Sequence, residues 1–111
     1  MASLDDLRRA AVALPGVVGG DVLGEVAFKV GRKGFVHVWR GGVCMKLDKY
    51  RQELLFEARP DVFKPMIAGA MRWSWVDIAA LDAAEIGELV FEAWMQVAPK
   101  QLSRTFAADP R

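Results

Sequence analysis

From Leu23 onward the chain alternates with a period of two. Val26, Phe28 and Val30 fall on one side and Glu25, Ala27 and Lys29 on the other, as in a strand with one buried face. Gly31-Arg32-Lys33-Gly34 interrupts the pattern as a tight turn, after which Phe35, His37 and Trp39 alternate with Val36 and Val38. Gly41-Gly42 turns the chain again into Val43-Cys44-Met45-Lys46-Leu47. Three antiparallel strands in a meander follow, and a meander needs helices or a second sheet to cover its apolar face.

The flanking segments supply helices. Ser3 can cap a first helix running to about Leu14, with Leu4, Leu7, Ala11 and Leu14 on one stripe and Asp5 and Asp6 beside the positive helix end. Pro15-Gly16 stops it, and the glycine-rich stretch from Val17 to Asp21 reads as a loop. Asp48 can cap a short second helix from Lys49 to about Ala58, ended by Pro60. Asp61 to Lys64 reads as loop, Pro65 to Ala68 as a short strand, Gly69-Ala70 as a turn and Arg72 to Ile78 as a longer strand. Asp82 and Glu85 have capping-box spacing ahead of Ile86, Leu89, Val90, Ala93, Trp94 and Val97, the stripe of a helix that Pro99 closes. The tail from Lys100 reads as frayed. The fold expected is a single α+β domain over residues 1–111. An antiparallel sheet of about five strands carries the first and last helices on one face and the short middle helix at an edge. Phe28, Phe35, Val36, Val38, Leu47, Trp73, Val76, Leu89, Val90 and Trp94 would form most of the core.

With 111 residues the chain can bury such a core without disulfides or metal. Internal repeats and low-complexity runs are missing, as is any apolar run of the ~18 residues a membrane span needs. Ala2-Ser3-Leu4-Asp5-Asp6 lacks the features of a signal peptide, so cytoplasmic residence is the expectation. The single Cys44 cannot form an internal disulfide.

Chemistry finds little to work with. His37 is the sole histidine and stands mid-strand with no paired carboxylate or nucleophile in the sequence, which favours a packing role. Cys44 also sits on a strand, away from the base or helix start that would form a thiolate. One His and one Cys make no zinc site, the acids form no calcium loop, and Gly31 to Gly34 is too short for a phosphate-cradling loop. A non-enzymatic protein without cofactor or metal is expected. Of the tryptophans, Trp94 lies on the helix stripe, Trp73 and Trp75 are assigned to the core, and Trp39 to the surface.

Charge is the feature that points to a partner. Ten Lys or Arg stand against four acids between Lys29 and Arg72, whereas the rest of the chain has five against ten, so the net +1 conceals a basic middle between acidic ends. A positive patch attracts polyanions whatever their sequence. Arg32, Lys33, Arg40, Lys46, Lys49 and Arg72 gather at turns and strand ends, where they could straddle a phosphate backbone.

Several segments in a fixed order resemble one family. They are Phe28-Lys29-Val30-Gly31, Lys33-Gly34-Phe35-Val36, Met45-Lys46-Leu47, Pro65, Arg72-Trp73 and the helix from Glu88 to Lys100. Together, from Leu14-Pro15-Gly16 to Lys100, the chain is similar to the MmcQ/YjbR family of small bacterial proteins. That resemblance implies a CyaY-like α+β domain, described as a double-wing DNA-binding fold, mostly of unknown function and with no established catalytic residue. Lys33 and Lys46 fall on typical basic positions of the family and Trp73 on its typical Trp. Two departures stand out: Ala68-Gly69-Ala70-Met71 is more apolar than the polar, often basic turn expected before the Trp, and Trp94 replaces the usual Tyr.

A weakly sequence-specific DNA-binding module is therefore the leading expectation. The alternative is a protein-interaction or homo-oligomerisation domain using the apolar Met66 to Met71 segment.

Overall fold

Ser3 opens the first helix, α1 (Leu4–Val12), through a reciprocal cap: its hydroxyl accepts from the Asp6 N–H while the Asp6 carboxylate accepts from the Ser3 N–H. The computed structural model describes residues 3–22, 25–39, 42–65, 73–102 and 104. After α1 come β1 (Val17–Val22), β2 (Glu25–Val30), β3 (Lys33–Trp39) and β4 (Gly42–Lys46). Then follow α2 (Lys49–Ala58), β5 (Phe63–Pro65), β6 (Trp73–Val76), a single 3-10 turn (Ile78–Ala80) and α3 (Ala83–Val97). All six strands form one antiparallel sheet in the order β1-β2-β3-β4-β6-β5.

One face of this sheet is the core face. Phe28, Val36, Met45 and Ser74 lie side by side across β2, β3, β4 and β6, and Val38, Val43, Val76 and Phe63 form the next row. Leu7 and Ala11 of α1 and Ile86, Leu89, Val90, Ala93, Trp94 and Val97 of α3 pack in the same apolar cluster. Trp94 is fully buried, which is worth about 3 kcal/mol for a large apolar side chain. Its indole N–H donates to the Pro15 carbonyl at 3.0 Å, tying α3 to the end of α1. α2 joins this layer through Leu55 in the core, the Arg51–Glu92 and Arg59–Glu85 ion pairs to α3, and Gln52, whose amide oxygen accepts from the buried Ser74 hydroxyl at 2.6 Å.

The α+β expectation holds, with six strands in place of about five. The added strand is β1, which its glycines had marked as loop. Gly19 lies opposite Phe28, and a Cβ there would come within 3.1 Å of the Phe28 ring, so the bare backbone makes room for a core aromatic. β5 begins at Phe63, inside the segment read as loop, because Phe63 pairs with Val76 and buries its ring. α1 ends at Val12, two residues short of Leu14, and β6 stops at Val76 because the Asp77 carboxylate caps the 3-10 turn. Past Pro99 the backbone is helical again over residues 100–102, and Leu102 packs against the core.

A bulge in β3 changes which residues share a face. Phe28 pairs with Val36 but Lys29 pairs with Gly34, leaving Phe35 as the extra residue. Simple alternation places Phe35 beside His37. The bulge instead sends Phe35 into the core cluster and leaves Gly34 and His37 together on the opposite face.

Candidate nucleic-acid interface

The sheet face turned away from the helices is built by the alternate residues of each strand. One row crosses it from Ala27 through His37, Cys44 and Trp75 to Lys64, and beside it Lys46 stands opposite Trp73. Lys29 shares this face, opposite Gly34. Ala27 and Cys44 are buried beneath their larger neighbours, while Lys29, His37, Lys46, Trp73 and Trp75 are half-buried and Lys64 is exposed. His37 and Trp73 meet edge to face, with ring centroids 5.2 Å apart. Trp73 and Trp75, assigned to the core by their apolar character, thus belong to the helix-free face. The core position between them is Ser74.

Electrostatics on this face follow from burial and from lysine. Desolvation, with the neighbouring Lys29 charge adding to it, holds the His37 imidazole below its usual 6.5, so the ring is neutral near pH 7. Burial pushes the Cys44 thiol up to about 11, which keeps it protonated and unreactive as a nucleophile. Among the described residues no three His, Cys, Asp or Glu side chains cluster as a metal site, and no helix is long and apolar enough to cross a membrane.

The cations named from sequence divide by position. Strand pairing sets the β2–β3 turn, Lys46 opposite Trp73, and Pro65 opposite Ser74 at one end of the sheet. Arg32 and Lys33 are exposed at that end. Lys46 lies there on the helix-free face, and Lys49 is exposed at the start of α2 just beyond it. Lys33 pairs with Val30, which places it at the rim on the helix side. Arg40 and Arg72 lie outside the described residues, as does the Met66 to Met71 segment proposed for self-association. Two further lysines share the helix-free face: Lys64, in a segment that reads as loop from sequence, and Lys29, whose face the β2 alternation already gives.

Ion pairing differs between the two sides. The three ion pairs among the described residues, Arg9–Asp6, Arg51–Glu92 and Arg59–Glu85, all join residues of the helical layer. Lys29, Lys46 and Lys64 on the other side are in no ion pair with a described residue.

Comparison with known proteins agrees with this architecture. No curated protein matches the chain at a significant level. The fold is that of a solved structure, the crystal structure of Deinococcus radiodurans protein DR2400, whose domain is DUF419. The TM-score is 0.75 at 21% sequence identity, covering 98% of this chain and 91% of that one. A family model described as YjbR matches residues 12–96, which runs from the end of α1 through nearly all of α3. The chain belongs to the YjbR family.

Proposed function

We propose that this protein is a non-enzymatic, weakly sequence-specific DNA-binding module of the cytoplasm. It would bind phosphates with the helix-free sheet face and the sheet end carrying Arg32, Lys33, Lys46 and Lys49. The observation that carries this reading is the sorting of charge. Lys29, Lys46 and Lys64 on the helix-free face, with Arg32 and Lys33 at the sheet end, are in no ion pair with a described residue, while the ion pairs among the described residues and most of the carboxylates lie in the helical layer. Phosphate contacts of this kind give affinity without reading bases, since each neutralised phosphate releases counterions and no base edge is addressed. The inert Cys44 thiol and the packed His37 ring suit binding better than catalysis.

The test is a salt titration of binding to a duplex of arbitrary sequence. Affinity is expected to fall steeply and log-linearly with salt, and Arg32→Glu with Lys33→Glu is expected to abolish binding. Binding that ignores salt, or a double variant with native affinity, overturns the reading.

A further inference from the structure

Phosphate contact explains the lysines of the helix-free face but not its aromatic rings. Trp73 and Trp75 occupy alternate positions of β6, on one side and about 7 Å apart by strand geometry. Each has a lysine directly opposite on a neighbouring strand: Lys46 of β4 faces Trp73 and Lys64 of β5 faces Trp75. The face therefore presents two half-exposed indoles between two cation positions, with His37 held edge to face against the first indole and Lys29 near His37. A surface meant only to be covered by another protein would place apolar residues where this one has lysines.

We propose that this face binds an unpaired DNA strand, with bases stacking on Trp73 and Trp75 while Lys46 and Lys64 hold the flanking phosphates. The inference rests on the DNA-binding reading above and specifies the form of DNA. Bases within a duplex are stacked at about 3.4 Å per step and turn only their edges outward. A spacing about twice that, between the two strand positions that carry the rings, suits bases pulled apart along an extended single strand. Lysines beside each ring complement the backbone that such a strand must carry past it. Stacking accepts any base because each has a π-face, in keeping with the weak sequence preference of the whole surface.

The experiment measures fluorescence anisotropy of labelled oligothymidine, the same length of mixed-sequence duplex, and oligouridine, each with the full chain at matched salt. Oligothymidine is expected to bind about tenfold or more tighter than duplex. Trp73→Leu, which keeps an apolar group of fair size but no ring, is expected to lose about tenfold on oligothymidine and nothing on duplex. Trp73→Phe is expected to retain most of the single-strand affinity. Quenching of the native tryptophan fluorescence by oligothymidine tests the same contact with no substitution at all. Oligouridine binding as tight as oligothymidine supports the proposal, because stacking does not read the sugar. Preference for duplex, or a Trp73→Leu chain with native single-strand affinity, overturns it while leaving the salt-dependent phosphate reading intact. Failure to bind any of the three overturns both, and oligouridine binding without oligothymidine binding overturns the DNA assignment.

Discussion

Gly34 is the residue on which the helix-free face turns. A Cβ at this position would stand 2.7 Å from His37 Nε2, and the His37 ring cannot swing freely because Trp73 packs against it. Gly34→Ala is therefore expected to destabilise the protein by about 1 kcal/mol through overpacking, less what the stiffer unfolded chain returns. In a His37→Ala background the clash is gone, and the same substitution should become neutral or stabilising by up to about 1 kcal/mol. Urea unfolding of the four chains of that cycle gives the coupling, and a Gly34→Ala effect of the same sign and size in both backgrounds would show that the two residues do not meet. His37 also sets a pH dependence. Its folded pKa lies below the ordinary 6.5, so the unfolded chain takes up the proton first as pH falls. Stability is then full above about pH 6.5 and declines as pH drops through the window between the unfolded and folded values. Asp6, held low chiefly by the hydrogen bond from the Ser3 N–H, acts only below its ordinary 3.8 and leaves that window clear. The melting temperature of the native chain should drop between about pH 8 and about pH 5, and His37→Gln, which cannot titrate, should show a smaller drop.

Helices were more legible than strands because their signals are local. α3 could be placed from Asp82 and Glu85, whose two reciprocal bonds both form, and from a stripe of six apolar residues that are all buried. The strands needed partners to be seen. β1 is hidden by its glycines until Phe28 is known to lie across Gly19. The bulge at Phe35 is invisible because a local alternation count has no knowledge of the opposing strand. β6 shows the same limit: two tryptophans carry far more apolar area than a serine, yet Ser74 is the buried residue and Gln52 of α2 meets its hydroxyl. That bond joins α2 to the sheet and yields a test. Ser74→Ala leaves the buried Gln52 amide oxygen without its donor and is expected to cost about 1–3 kcal/mol. Adding Gln52→Leu removes the orphaned group, so the double variant should be more stable than Ser74→Ala alone. Chemical denaturation of the three variants decides it, and a double variant weaker than both singles would mean that Gln52 holds α2 by other contacts.

At the level of the whole molecule, the basic middle of the chain was legible as a count but not as a place. Composition shows that acids crowd the two ends, and the fold explains the consequence: both ends become helices on one layer, while much of the middle becomes sheet. Which lysines of the sheet reach the free face depends on register. Lys29, Lys46 and Lys64 do, whereas Lys33 falls on the helix side of the rim. If polyanion attraction comes from this sorting and not from net charge, position must matter when charge change is held equal. Lys46→Glu with Lys64→Glu reverses two charges on the helix-free face. Arg8→Glu with Arg9→Glu reverses two exposed charges on α1, in the opposite layer, giving up one solvent-screened surface ion pair. The two variants carry the same net charge, so a purely nonspecific attraction would weaken both alike. On a heparin column the sheet-face variant is expected to elute at much lower salt than the native chain, and the α1 variant close to it. Equal shifts would mean that the molecule is felt as a single charge, and the sheet face would lose its standing as the binding surface.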